Sequence, residues 1–348
     1  MKTFFDRCYL VLFLAIAHAL VPALSETVVD VAMNEAADRQ ARLLKGAKRE
    51  GSLVFYTSIA ATNVEKIAAD FEKKYGIKVN VWRAGTDKVL QRVLAETKSN
   101  RFDFDLVNMS SPEMEALHRE KLLQEVKSPY FGDLIAGGVP AHKEWATTYI
   151  NVWVQAYNTD KVNKDELPKS YQDLLHPRWK GRLGIESKNQ EWFSTVVKEM
   201  GEEKGLQFFR DLTQANGISV RTGHSLLNNL VVSGEVPLAL TVYSFMPEQA
   251  KQKGAPIDWF AIEPAIATSF SIGLSKQAPH PNAAVLFYDY MLTDAQKLLA
   301  QMQVVPGSRK VESPVKNLRI KLVDPKVVLD ESEKWNKRYE EIVIKAAK

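Results

Sequence analysis

Tyr149-Ile150-Asn151-Val152-Trp153-Val154-Gln155-Ala156-Tyr157 is the stretch on which the fold turns. β-Branched and aromatic side chains dominate it, no Gly or Pro interrupts it, and it reads as one long strand. A second β-rich run, Ile266 to Leu274, follows far downstream. Before the first run, strand and helix signals alternate. Leu53 to Tyr56 is a buried-strand pattern ending at Thr57-Ser58, and Val64, Ile67, Ala68 and Phe71 then fall on one helical face, with a stop at Gly76. Val79 and Val81 belong to a strand ending near Arg83, and Gly85-Thr86-Asp87 opens the next helix. Phe104 to Met109 is a third strand, followed by the helix start Ser110-Ser111-Pro112.

Between the two runs the alternation begins again. Arg182 to Ile185 reads as a strand, Phe193, Val196, Val197 and Met200 as a helix face, and Ile218 to Val220 as a strand. Thr222-Gly223-His224-Ser225 opens another helix, and Pro237 to Val242 forms a strand ending at Tyr243-Ser244. After the second run, Pro281-Asn282 starts a helix, and the tail from Val311 is mainly helical. Two α/β assemblies joined by two β passes describe one lobe interrupted by another, with a hinge where the passes cross. The expected division is residues 26–149 and 266–310 for lobe I, 150–265 for lobe II, and 311–348 for C-terminal helices packing on lobe II.

The chain of 348 residues opens with Lys2 and Arg7, then an apolar run from Tyr9 to Leu20. That run is shorter than the roughly 20 residues of a membrane span. With Ala23-Leu24-Ser25 as cleavage site, it reads as an export signal removed near Ser25. The single cysteine, Cys8, leaves with it, so the mature chain has no disulfide, thiolate metal site or cysteine nucleophile. A net charge of +4 is spread among interspersed acids and bases, which leaves nucleic-acid binding unsupported.

Eight segments then fall into a known order. They are Gly51-Ser52-Leu53-Val54-Phe55-Tyr56-Thr57-Ser58, Phe71-Glu72-Lys73-Lys74-Tyr75-Gly76-Ile77-Lys78-Val79, Ala156-Tyr157-Asn158-Thr159 and Leu167-Pro168-Lys169-Ser170. Asp173-Leu174-Leu175-His176-Pro177-Arg178-Trp179-Lys180-Gly181, Ser233-Gly234-Glu235, Lys253-Gly254-Ala255-Pro256 and Ala278-Pro279-His280-Pro281-Asn282-Ala283-Ala284 complete the set. In these the chain resembles the extracellular solute-binding proteins of ABC importers, in the branch with the ferric-ion, phosphonate and sugar-phosphate receptors. The resemblance implies a two-lobed periplasmic-binding-protein fold of type II, with two crossover strands as hinge. It also implies a periplasmic monomer that hands a small solute to an inner-membrane permease and its ATPase. A sensor presenting the same solute to a receptor kinase would need the same pocket.

The pocket is expected where strands end and helices begin, because free backbone N–H groups and the helix dipole gather there. Thr57, Ser58, Ser110 and Ser111 hold such positions in lobe I, and Thr222 and Ser244 in lobe II. Arg83 and Arg221, one per lobe, each stand at a strand end, and paired guanidinium groups suit an oxyanion such as a phosphonate, phosphate ester or carboxylate. Tyr149, Trp153, Trp192 and Tyr243 are expected as walls, and Asn151 as a polar group on the hinge strand.

Two alternatives complete the reading. Ferric receptors of this branch use adjacent tyrosines, often with a histidine and an acid, whereas Tyr243-Ser244-Phe245 contains no tandem pair. An exported hydrolase is the other, but no G-x-S-x-G elbow, H-E-x-x-H helix, P-loop or dinucleotide fingerprint is present, and no cofactor or resident metal is expected. His118, His142 and His176 lie in polar surroundings and read as surface residues.

Overall fold

The computed structural model describes residues 26–347; the expected export signal, with Cys8, lies outside them. Among the described residues no helix is long and apolar enough to cross a membrane. The strands in chain order are β1 (Ser52–Thr57), β2 (Lys78–Arg83), β3 (Leu106–Ser110), β4 (Leu123–Gln124), β5 (Trp145–Asn158) and β6 (Leu183–Glu186). They continue with β7 (Ser219–Arg221), β8 (Leu238–Tyr243), β9 (Ile257–Phe260), β10 (Ala265–Ser275), β11 (Val305–Pro306) and β12 (Ile320–Leu322).

Their order across the molecule is β2-β1-β3-β10-β5-β8-β6-β7. β5 belongs to both halves. Its residues from Trp145 to Val152 pair antiparallel with β10, and from Trp153 onward it pairs with β8 and β9. The chain crosses back between β9 in the second half and β10 in the first. This is a two-lobed α/β periplasmic-binding-protein fold of type II, with the crossings expected from the two β-rich runs.

Every residue of β5 is buried. That explains its continuous apolar run, because a strand covered on both faces has no solvent side to alternate with. The first half packs Phe55, Phe71, Phe287 and Tyr290 into its core, with Phe71 and Phe287 edge to face at 4.9 Å. The second half packs Trp179, Trp192, Phe193 and Phe209. Phe193→Ala, in the centre of that second core, is expected to cost about 3–5 kcal/mol of stability, read by chemical denaturation.

The C-terminal segment differs from expectation. Its helix Ser332–Tyr339 does pack on the second half, with the Tyr339 and Phe193 rings 5.3 Å apart. The preceding helix Pro325–Asp330 instead packs on Ser111–Arg119 of the first half, where Arg119 bonds Asp330 at 2.5 Å, and β12 pairs with β10. The tail therefore spans both halves. Its apolar residues are too sparse to reveal two separate docking faces from periodicity.

Candidate functional site

A cavity of about 540 Å³ lies between the halves. Its floor is the crossover: Tyr149, Asn151 and Trp153 from β5, and Thr268 and Phe270 from β10. The floor rings pack on one another, Tyr149 against Phe270 at 5.0 Å and Trp153 against Tyr243 at 5.7 Å. Rigid, close-packed rings hold the phenols of Tyr149 and Tyr243 at the cavity, and burial pushes both phenols upward from their ordinary range.

Two carboxyl groups from opposite halves face this space. Glu113 stands in the first turn of the helix Ser111–Arg119, where the Ser110 hydroxyl donates to it. Glu191 stands in the first turn of the helix Gln190–Met200. Helix N-termini favour negative charge, yet burial and the neighbouring Glu113 push Glu191 up to about 8. Burial raises Glu113 as well, with Asp87 adding to the effect. Burial thus disfavours ionisation of both acids, and Glu191 carries the added repulsion of Glu113.

Unpaired polar atoms concentrate at the same place. Asn151 Oδ1, Gln190 Oε1, Glu191 Oε2, Thr268 Oγ1 and Asn189 Nδ2 are buried without a close hydrogen bond within the protein; the Thr268 hydroxyl only approaches the Glu191 carboxyl, drawing it down against burial. Four of these five atoms are oxygens able to accept. Asn189 uses its own oxygen to accept from Trp153 Nε1 at 3.1 Å. Leaving such groups unmade costs about 1–3 kcal/mol each, which a ligand supplying donors would relieve.

Glu186, at the end of β6, plays a different part. Its carboxylate accepts from the N–H groups of Gly223 at 2.9 Å and Lys188 at 2.6 Å and from the Ser187 hydroxyl at 3.3 Å. Gly223 has φ of 100°, a conformation that L side chains rarely adopt, so glycine is needed where that loop turns into the helix His224–Val232. Across the mouth, Lys188 of the second half pairs with Asp87 of the first. Burial is the largest single influence and would raise the Asp87 carboxyl, but the hydrogen bond and charge of Lys188 together with backbone N–H groups outweigh it and hold the group below its ordinary value. Both partners are well exposed, so Lys188→Ala is expected to weaken ligand affinity no more than about fivefold in a calorimetric titration.

Of the residues expected at the pocket, Ser58, Arg83, Ser110, Tyr149, Asn151, Trp153, Thr222 and Tyr243 line the cavity. Five do not. Thr57 is fully buried and its hydroxyl accepts from the Ile59 N–H at 3.1 Å. Ser111 bonds Ser269 and Ser271, tying the helix start to β10. Trp192 follows Glu191 on a helix, where neighbours point about 100° apart, and it packs on Phe209 in the core. Ser244 is buried, and its backbone N–H donates to the Val152 carbonyl on β5 at 2.9 Å. Arg221 leaves the last residue of edge strand β7 and bonds Glu235 at 3.0 Å. Arg83 does line the cavity, its Nε held by the Ile59 carbonyl at 3.1 Å, but with Arg221 turned away to Glu235 the expected two-arginine clamp is not assembled.

Glu113, Glu191, Gln190 and Thr268 went unread in the sequence. For the first three the signal is the first helical turn beyond each strand end, Ser110-Ser111-Pro112-Glu113 on one side and Asn189-Gln190-Glu191 on the other; Thr268 lies within β10, where no local signal marks it.

Comparison with known proteins places this geometry. The family described as bacterial extracellular solute-binding protein matches residues 53–302. The chain is 25% identical over 267 residues to the iron uptake protein A1 of Synechocystis, covering 71% of this chain and 72% of that protein. It is 25% identical over 195 residues to the major ferric iron-binding protein of Neisseria gonorrhoeae, covering 55% and 58%. Among solved structures, iron-bound HitA from Pseudomonas aeruginosa matches with a TM-score of 0.73 at 22% identity, over 84% of this chain and 99% of that one. AfuA from Actinobacillus pleuropneumoniae, with fructose-6-phosphate bound, matches at 0.74 and 20% identity, over 85% and 99%. One fold thus serves a metal ion and a sugar phosphate, and the cargo has to be argued from the cavity. The chain belongs to the bacterial extracellular solute-binding proteins, non-enzymatic receptors that work with ABC importers.

Proposed function

We propose that this receptor takes a small organic cation, an ammonium compound, rather than the oxyanion that its arginines suggest in the sequence. The observation that carries this is the facing pair Glu113 and Glu191, one acid per half, with unpaired acceptor oxygens around them. An ammonium group supplies N–H donors and a positive charge together. It bonds Glu191 Oε2, Asn151 Oδ1 and Gln190 Oε1 and turns the repulsion between the acids into attraction. The aromatic floor of Tyr149, Trp153 and Tyr243 accepts the cation and its alkyl stem through ring faces. Because the two acids stand on different halves, the ligand binds the closed form better than the open one and shifts the population toward it. The cavity volume of about 540 Å³ suits a molecule of several heavy atoms better than a bare ion.

The receptor is proposed to act as a monomer in the periplasm after cleavage near Ser25, and to deliver the closed form to an inner-membrane permease with its ATPase.

A second reading has its own support. Tyr149 and Tyr243 share the cavity with the two glutamates and with His224, whose ring lies 4.1 Å from that of Tyr243. Phenolates and carboxylates suit ferric ion, which related proteins carry by name.

Thermal melting of the mature protein with putrescine, spermidine, choline, ferric citrate and sugar phosphates separates the readings. An amine is expected to raise the melting temperature increasingly with its excess over the dissociation constant. A response to ferric citrate with a visible tyrosinate band selects iron. A response confined to phosphates restores the anion.

A further inference from the structure

His118 and His142 read as surface residues in sequence, but the fold stacks them. His118 lies near the end of the helix Ser111–Arg119, and His142 lies in the loop leading into β5. Their rings are 3.7 Å apart between centroids, with planes only 11° apart. Glu144 joins both. Its Oε2 lies 2.8 Å from His118 Nδ1, and its backbone N–H donates to His142 Nδ1 at 3.2 Å. That second bond fixes a tautomer: His142 presents a lone pair at Nδ1 and carries its proton on Nε2. One ligand atom each from His118, His142 and Glu144 falls within a span of 4.8 Å.

The other edge of His142 is incomplete. Its Nε2 points at Glu115 Oε2 across 4.0 Å, and both atoms are buried without a partner. Glu115 is 3% exposed, with its second oxygen bonded by Arg119 Nε at 3.2 Å. A buried carboxylate aimed at the far nitrogen of an imidazole is the arrangement that orients a metal-binding histidine and strengthens its lone pair.

We propose that His118, His142 and Glu144 bind a divalent transition-metal ion of the Zn²⁺ type, with Glu115 as the outer partner of His142. Two imidazole nitrogens and one carboxylate oxygen are a donor set that Zn²⁺ accepts, with the fourth position left to water. On binding, His118 moves its proton from Nδ1 to Nε2 through solvent, which frees the Nδ1 lone pair for the metal; Glu144 exchanges its hydrogen bond to that nitrogen for coordination, and its backbone N–H releases His142 Nδ1 to water so that this lone pair also turns to the ion. Glu115 then closes on His142 Nε2–H. None of the four residues lines the cleft cavity. The ion would clamp the lead-in of the crossover strand β5 to the helix that carries Glu113.

The test is a calorimetric titration of chelator-stripped mature protein with Zn²⁺ alone, near neutral pH, repeated on His118→Gln, His142→Ala, Glu115→Gln and, as a control, His176→Ala. One ion per chain is expected. Affinity should fall at least about 100-fold in the two first variants and about 10- to 100-fold in Glu115→Gln, and should hold in the control. Co²⁺ should give a visible absorption band in the wild type that His118→Gln lacks, read on protein whose circular dichroism is unchanged. Absence of stoichiometric binding to the wild type, or binding that survives both histidine substitutions, overturns the site. The cleft variant Glu191→Gln should leave Zn²⁺ binding untouched; its loss there would also overturn the assignment.

Discussion

Glu191→Gln is expected to weaken binding of an ammonium ligand by roughly 10- to 100-fold, since a hydrogen bond to a charged group contributes about 1.5–3 kcal/mol. The same substitution should leave the empty protein more stable at pH 8 and above. Glu191 in the fold is pushed up to about 8 by burial and by Glu113, against an ordinary value of 4.5. Between those two values the folded chain holds a proton that the unfolded chain releases. Stability drawn from this group is therefore greatest at low pH and declines as pH rises toward about 8. Glutamine has no proton to lose and removes that decline. Weaker binding combined with a firmer empty fold distinguishes a ligand-gripping acid from a structural one, for which both quantities would fall together. Melting curves from pH 5 to 9, with and without the amine, read both effects.

Arg39→Ala is expected to cost about 3–5 kcal/mol, or roughly 10 °C in melting temperature. Arg39 and Asp289 form an ion pair in which both side chains are almost fully buried. It joins the helix Arg39–Glu50 to the helix Pro281–Leu292. Burial raises the Asp289 carboxyl, and Arg39 draws it back down. Without the guanidinium, Asp289 keeps only the Ser128 hydroxyl at 2.8 Å and must either stay charged in an apolar place or take up a proton. The double variant Arg39→Met with Asp289→Leu should recover most of the loss, because breaking a buried pair is more costly than replacing it. Equal losses in the single and double variants would show that packing, not charge, holds the two helices together.

The hinge was legible in the sequence because a strand buried on both faces is mainly apolar with no polar alternation, as Tyr149 to Tyr157 is apart from Asn151 and Gln155. Helix starts at Ser110-Ser111-Pro112 and Thr222-Gly223 were legible for a similar local reason: capping and first-turn chemistry depend on a few adjacent residues. Which side chain turns toward the cleft was harder. Arg221 is the last residue of a three-residue edge strand, too short for alternation to fix a face, and its guanidinium found Glu235. Trp192 and Glu191 are neighbours whose roles are exchanged by one step of helical rotation. The acid pair itself depends on how two halves meet, and no local pattern in either half encodes that meeting. Nor does any spacing rule bring His118 and His142 into a stack, since a loop and a helix have to converge first.

Calorimetric titration of the mature protein with putrescine and spermidine at pH 7, in two buffers of different protonation enthalpy, counts the protons released as the cleft fills. With Glu191 protonated when empty and ionised against a bound ammonium group, binding is predicted to release about one proton and to tighten as pH rises. Failure of every amine to bind while ferric citrate or a sugar phosphate does, or amine binding with no proton released, would contradict the cation-gripping cleft.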